Sequence, residues 1–297
     1  MEHLFSTWSS ILRQLGKARH ILLLSDYDGT LTPIVERPEL ALLPDDVRRL
    51  LERLVHQRHM RIGIVSGRAL SDLKSRVGVE GLVYAGNHGL EIEGPGVAFV
   101  SPLAAELRPV LRVIHFVLSR ALSTVRGVLV EDKGLSLSVH YRMVDPGRAQ
   151  DVEDIVKKTV GPAQATGKVK LTSGKKVHEI RPAVDWNKGK AVKMLMKRYG
   201  KGGRQSGLVP IYLGDDVTDE DAFKVIETYG DGISVFVGQP NGQSAARYYL
   251  KSPKEVSRFL ELLADANNFC QKLVLNPAAG LPVRPGPDRP QIRTSDG

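Results

Sequence analysis

Short unbroken apolar runs alternate along this chain with stretches whose apolar residues recur every three or four positions. The first run, Ile21-Leu22-Leu23-Leu24, ends in Ser25-Asp26-Tyr27-Asp28-Gly29, and Arg61 to Ser66 and Leu82 to Gly86 repeat the form. Runs of this length closed by glycine predict buried strands of a parallel sheet. Between them, Val47, Leu50, Leu51, Leu54 and Val55 predict a helix begun by Pro44. Ahead of them, Leu4, Phe5, Trp8, Ile11, Leu12 and Leu15 predict an amphipathic helix resting on the core.

The middle of the chain changes character. Ser101-Pro102 opens a predicted helix to about Thr124. Strands follow near Gly127 to Glu131 and Leu135 to Arg142, then a helix from Pro146 to Val160, then strands near Lys168 to Thr172 and Val177 to Arg181. This αββαββ order predicts a separate α+β unit. In its second strand Leu135, Leu137, Val139 and Tyr141 alternate with Ser136, Ser138, His140 and Arg142, so one face is apolar and the other polar. A half-exposed sheet of this kind suits a lid over a site.

The first pattern resumes with a helix from Asn187 to about Tyr199, a strand at Val209 to Leu213, a helix after Thr218 and a strand at Ile233 to Val237. Ser252, Pro253 and Glu255 form a capping box that starts a last helix, expected to end near Asn267. The fold class read from this order is α/β, a Rossmann-like parallel-sheet core with an inserted α+β cap. The expected division is a core of residues 1–104 and 183–270, a cap of residues 105–182, and a disordered proline-rich tail at 271–297.

Composition narrows the functional classes. The 297 residues are 42% hydrophobic, enough for a sizeable core. No apolar stretch reaches the roughly 20 residues that span a bilayer, and the first residues lack signal-peptide form, so the cytoplasm is the expected location and no membrane partner is expected. One cysteine, Cys270, excludes an internal disulfide and a cysteine-rich zinc site. The net charge of +9 favours anionic ligands. Its basic residues are scattered without aromatic interleaving, so no nucleic-acid partner is expected.

Four segments carry the candidate chemistry. Asp26 and Asp28 stand just past the first strand, where ligands of parallel sheets gather, and their mutual repulsion calls for a cation such as Mg2+. Ser66 ends the second strand beside Gly67 and offers a hydroxyl to a phosphoryl oxygen; as an alternative it caps the next helix. Lys188 opens a helix whose N-terminus already favours anions, although a lysine there is commonly a surface charge. Asp215 leads the acidic loop Asp215-Asp216-Val217-Thr218-Asp219-Glu220-Asp221, in which Thr218 and Asp221 are also expected to cap a helix. The combined reading is phosphoryl transfer. Asp26 is the nucleophile, Asp28 the general acid and base, and Ser66 and Lys188 clamp the phosphate; Mg2+ is held by Asp26, the carbonyl of Asp28 and Asp215, with Asp219 nearby.

These segments resemble the haloacid dehalogenase-like phosphatases, and in detail the trehalose-6-phosphate phosphatase family. The matching strings are DYDGTLTPI from Asp26, VSGR from Val65, NKGKA from Asn187 and LGDDVTDEDAF from Leu213. AGNHGLEI from Ala85, EDKG from Glu131, HYR from His140 and KKVHEIRP from Lys175 extend the resemblance over about residues 20 to 265. It implies a nucleophilic Asp26, an acid/base Asp28, a phosphate-site Lys188 and Mg2+ as cofactor, with Asp26, Asp28, Asp215 and Asp219 as its metal group. It further implies that Arg68, His88, Glu131, Lys133, Arg142, Lys176 and Glu179 contact the substrate, with Lys175 as an alternative to Lys176 and a packing role as an alternative for His88.

The implied activity is Mg2+-dependent hydrolysis of trehalose 6-phosphate through an aspartyl phosphate, the last step of trehalose biosynthesis. A monomer functionally coupled to a trehalose-phosphate synthase is the expected context. Phosphatases for sucrose phosphate or glucosylglycerol phosphate, and a catalytically silent sugar-phosphate sensor, are the competing readings.

Overall fold

The computed structural model describes residues 1–174, 176–200, 207–240 and 242–275. The first part of the chain forms β1 (Glu2–His3), α1 (Trp8–Leu15), β2 (His20–Ser25), α2 (Asp45–Val55), β3 (Met60–Val65), α3 (Leu70–Val77), β4 (Val83–Gly86), β5 (Glu91–Gly94) and β6 (Val97–Val100). The middle forms α4 (Pro102–Glu106), α5 (Arg108–Ala121), β7 (Leu129–Asp132), β8 (Leu137–His140), α6 (Ala149–Ala165), β9 (Val169–Gly174) and β10 (Val177–Pro182). The last part forms α7 (Lys188–Tyr199), β11 (Leu208–Gly214), α8 (Glu220–Tyr229), β12 (Ile233–Val237), β13 (Tyr248–Leu250) and α9 (Pro253–Leu275).

Two sheets organise the described residues. The larger has the order β1-β13-β12-β11-β2-β3-β4-β5-β6, parallel from β1 through β4 and antiparallel in its last two pairings. Its strands read as continuous apolar runs because both faces are covered. In β2, Ile21 and Leu23 pack with Val47, Leu51 and Phe259, whereas Leu22 and Leu24 pack with Val192, Leu195 and Phe223. From β2 the chain crosses to β3 on one side and later returns to β11 on the other. The crevice between β2 and β11 is therefore the switch point at which open α/β sheets bind ligands.

The smaller sheet, β7-β8-β10-β9, is antiparallel. One face packs on α5 and α6 through Leu137, Val139 and Ile180 against Ile114, Leu118, Val152 and Val156. The alternation expected in β8 is present, but its polar face is covered at Ser136 and Ser138, which are 0% and 1% exposed, and opens only toward His140 and Arg142. The covering groups belong to the first sheet's loops. Ser136 Oγ donates to Asn87 Oδ1 at 2.5 Å, Asn87 Nδ2 donates to the Lys133 carbonyl at 2.9 Å, and Lys133 Nζ donates to the Gly67 carbonyl at 3.1 Å. These bonds tie the smaller sheet to the edge of the larger one.

Several elements differ from the sequence expectation for local reasons. The helix expected from Ser101 to Thr124 breaks at Leu107, because Pro109 lacks an N–H and its ring clashes with an extended preceding turn. The hairpin β5–β6 and the short β1 and β13 are additions to that expectation; each strand is four residues or fewer and only partly buried. The N-terminal helix starts at Trp8 after a 3-10 turn, Leu4–Thr7. The last helix passes Asn267 and continues to Leu275, into the start of the expected tail. Residues 276–297 lie outside the described residues. Among the described residues no helix is long and apolar enough to cross a membrane.

Candidate active site

Three neighbouring strands deliver the expected catalytic groups to one edge. Asp26 follows β2, and its backbone N–H donates to the Leu213 carbonyl of β11 at 2.8 Å, which draws the β2 and β11 ends together. Asp215 follows β11, and Ser66 follows β3 on the other side of β2. Lys188 is the first residue of α7, capped by Asn187 Oδ1 accepting from the Lys190 N–H at 2.9 Å. Gly189 lets this helix start close against α8, since a Cβ there would meet the Asp221 carbonyl at 2.5 Å. Lys188 is thereby buried, not a surface charge, at 2% exposure.

Lys188 Nζ lies 2.9 Å from Asp26 Oδ1 and 2.8 Å from Asp219 Oδ1. Burial opposes its charge, but Asp219 and Asp26 outweigh burial and raise its pKa. For Asp26 burial dominates: together with Asp219, Asp215 and Asp28 it pushes the carboxyl well up despite Lys188. Asp215 is pushed up to about 7 by burial and then by Asp219. Asp219 is fully enclosed. Its Oδ1 accepts from Lys188 and from the Tyr212 hydroxyl at 2.6 Å, and its Oδ2 accepts the N–H groups of Asp215 and Asp216 at 3.2 and 3.1 Å. The helix cap expected from Thr218 and Asp221 is instead a capping box of Asp216 and Asp219, so Asp219 also builds the loop that carries Asp215.

One ligand atom each of Asp26, Asp215 and Asp219 lies within 4.8 Å of the others, a spacing that fits a divalent cation. Gly29, at φ +83°, leaves room for this group, since a Cβ there would collide with the Asp215 carboxylate. Excess negative charge at Asp26 and Asp215 is the second sign of fit. The Asp28 side chain does not join the group, because its carboxylate turns to Arg68.

A linked pH effect follows. The folded pKa of Asp215 lies above the unfolded carboxylate value of about 4, so without metal the fold loses stability as pH rises from about 4 to about 7. A cation competes with that proton. Thermal melts are expected to show Mg2+ raising Tm by about 5 °C at pH 8 and by almost nothing at pH 5. An equal shift at both values would separate Mg2+ binding from these carboxylates.

The smaller sheet places much of the expected substrate group above this edge. Glu131, Ser138 and Glu179 are in register across β7, β8 and β10 and share one face. Glu131 Oε2 accepts from His140 Nε2 at 2.9 Å, and Lys133 Nζ lies 4.0 Å from Glu131 and 3.9 Å from Glu179. Burial raises the Glu131 pKa, but His140 and Lys133 lower it further. Glu179 bridges core and cap, accepting from His88 Nε2 at 2.9 Å and from Arg181 Nε at 2.8 Å. Burial works against its charge, and His88, Lys133 and Arg181 together hold it well below the usual carboxylate range.

His88 itself is buried in a left-handed conformation, φ +58°, and burial lowers its pKa in spite of Glu179. Its Nδ1 is buried without a hydrogen-bond partner among the described residues.

Other expected residues are placed differently. Ser66 is buried, and its hydroxyl accepts the Arg68 N–H at 3.2 Å, forming the loop rather than capping α3. Arg142 is exposed and donates to the Val35 carbonyl at 2.8 Å, joining cap to core at the rim. Lys176 is not brought to the cluster. It sits in the β9–β10 turn at φ +63°, and its ammonium lies 5.7 Å from the Tyr141 ring, on the face that packs against α5 and α6. A left-handed residue breaks the period of two on which its expected orientation rests. Lys175, its alternative, lies outside the described residues.

Arg181, His140, Asn87 and Tyr212 join the site without having been singled out from the sequence. Arg181 and His140 share the two-residue spacing of Glu179 and Ser138, which is the signal that could have found them.

A family model described as Trehalose-phosphatase matches residues 24–254. A probable trehalose-phosphate phosphatase 3 of Oryza sativa subsp. japonica is 37% identical over 271 residues, 86% of this chain and 72% of its own length. The solved C-terminal domain of a C. albicans trehalose-6-phosphate phosphatase superposes with a TM-score of 0.71 at 27% identity, covering 86% of this chain and 96% of that one. A haloacid dehalogenase-like hydrolase from Bacteroides thetaiotaomicron, 19% identical, shares the fold at a TM-score of 0.56 over 82% of this chain and 99% of its own.

Proposed function

Since the chain belongs to the trehalose-phosphatase family, a family of phosphatases with the haloacid dehalogenase-like fold, we propose that it hydrolyses trehalose 6-phosphate to trehalose and phosphate. The observation that carries this reading is the pairing of Lys188 with Asp26, beside Asp215 and under the polar face that holds Glu131, Lys133 and Glu179. An Asp26 oxygen attacks phosphorus and the bond from phosphorus to the sugar oxygen breaks. That oxygen takes a proton from Asp28. Water, losing a proton to Asp28, then attacks the aspartyl phosphate and frees Asp26.

Asp26 and Asp215 would hold Mg2+, whose charge would offset the repulsion between carboxylate and phosphate. Lys188 meets the same need from the helix side and orients the nucleophile. Ser66 lines the phosphate end through its strand-end position. Glu131, Lys133, Glu179 and Arg142 read the sugar, His88 sets Glu179, and the closed cap excludes water during transfer. The same reading places a monomeric enzyme in the cytoplasm, supplied by a trehalose-phosphate synthase.

Sugar reading has its own test. Glu131→Ala removes an ionised acceptor that a small ester never meets, so kcat/KM for trehalose 6-phosphate is expected to fall about 100-fold and that for 4-nitrophenyl phosphate less than about threefold. Equal losses on both substrates would remove Glu131 from the sugar site.

A further inference from the structure

The resemblance assigns Arg68 to the substrate, but its donors are occupied inside the chain. Nε and Nη2 donate to Oδ2 and Oδ1 of Asp28, each at 2.7 Å, Nη1 donates to Asp72 Oδ2 at 2.8 Å, and Nη2 also donates to the Pro38 carbonyl at 2.9 Å. Four of its five N–H groups are thereby used. The side chain is 8% exposed, and its guanidinium lies 5.3 Å from the Tyr27 ring centre. Asp72 is gripped in turn. Arg76 Nε lies 2.8 Å from both of its oxygens, and Arg76 Nη1 donates to the Glu39 carbonyl at 3.0 Å. Arg68, Asp72 and Arg76 follow one another at four-residue spacing, the last two one helical turn apart on α3.

We propose that Arg68 is a positioning residue for the acid/base Asp28, and that Asp72 and Arg76, which lie outside all of the matched strings, hold Arg68 for that task. This rests on the phosphatase reading above. The two parallel N–H bonds fix the plane of the Asp28 carboxylate, which a single bond would leave free to turn. Arg68 cannot follow the carboxylate, because Asp72 and the Pro38 carbonyl anchor its other side. Asp28 remains 40% exposed and keeps lone pairs beyond the two that Arg68 engages. When the bond from phosphorus to the leaving oxygen breaks, the Asp28 proton passes to that oxygen, and the carboxylate left behind is the form that Arg68 binds. In the second step the attacking water returns a proton to Asp28. Arg68 thus acts on proton placement, through Asp28, and not on phosphate binding.

Leaving-group dependence isolates this role. 4-Nitrophenolate departs without a proton, whereas phenolate needs one, and the two aryl phosphates are otherwise alike in size and charge. In Asp72→Asn and in Arg68→Lys, kcat/KM, which reports the first transfer and not the shared hydrolysis step, is expected to fall about tenfold more for phenyl phosphate than for 4-nitrophenyl phosphate, with KM for either ester within about twofold of the parent. Asp28→Asn sets the upper limit of that selective loss. Arg76→Gln reads the same ratio where Arg68→Lys or Asp72→Asn does not fold. Equal losses in kcat/KM on the two esters, or a raised KM with an unchanged ratio of kcat/KM between them, would overturn the positioning role, and a selective gain on phenyl phosphate would do so too. Turnover that survives Asp26→Asn would instead overturn the nucleophile assignment, a failure read in a different variant.

Discussion

Asp26→Asn is expected to lower phosphate release by at least about four orders of magnitude while leaving the metal-free fold no less stable than the parent. An amide nitrogen or oxygen cannot replace the attacking carboxylate, so the loss falls on kcat. Stability moves the other way because the native carboxyl is uncomfortable where it sits. Burial, then the carboxylates of Asp219, Asp215 and Asp28, push its pKa up against the pull of Lys188. A folded pKa above the unfolded one means that stability is lost as pH rises above about 4, and a neutral amide is free of that loss. Chemical melts with a chelator present are therefore expected to give the Asp26→Asn variant an equal or higher midpoint at pH 7.5, with the difference closing toward pH 4. Mg2+ is expected to raise Tm less than in the parent. A strongly destabilised variant would mean that Asp26 serves the fold rather than the reaction.

Lys188→Met is the complementary case. The side chain is 3% exposed, and its ammonium stands between Asp26 and Asp219, at 2.9 and 2.8 Å. Its removal takes away the ammonium that faces Asp26 and Asp219 within a cluster of three carboxylates. Breaking a buried ion pair from one side costs about 3–5 kcal/mol, because the remaining charge stays desolvated. Denaturant titration of Lys188→Met at pH 7.5 without metal is expected to show a loss of about that size. The loss should shrink at pH 5, where Asp215 and Asp26 take up protons, and shrink also with Mg2+. Phosphate release at saturating Mg2+ is expected to stay at least about 100-fold below the parent, since a fixed charge on the phosphate side is gone. Full recovery of activity with Mg2+ would confine Lys188 to stability.

The candidate catalytic edge was legible because strand ends can be read locally. An apolar run that stops at Asp26, Ser66 or Asp215 places that residue at the sheet edge whatever the rest of the chain does. Lys188 was legible as a helix start, but its burial depended on Gly189 admitting α8, a contact more than thirty residues away in sequence. Arg68 shows the limit most clearly. Its place at the edge follows from its motif, whereas its bidentate grip on Asp28, forty positions earlier, exists only once β2 and β3 are paired.

In the cap, alternation is a sound guide where strands are regular. Glu131 and Glu179 fall on the site face with Ser138, and Arg181 and His140 belong there on the same evidence. Lys176 does not, because a turn residue with positive φ obeys no period of two. Asn87 was not assigned from the sequence for another reason: beyond Glu91, four residues on, its side-chain partners Lys133 and Ser136 belong to the cap and meet it only in the folded chain.

Phosphate release is measured most directly with the purified protein given trehalose 6-phosphate, sucrose 6-phosphate or glucosylglycerol phosphate, each with Mg2+ and with a chelator. Mg2+-dependent release is expected, with kcat/KM for trehalose 6-phosphate at least about 100-fold above the others. No turnover of trehalose 6-phosphate beside brisk turnover of another sugar phosphate would contradict the proposed function.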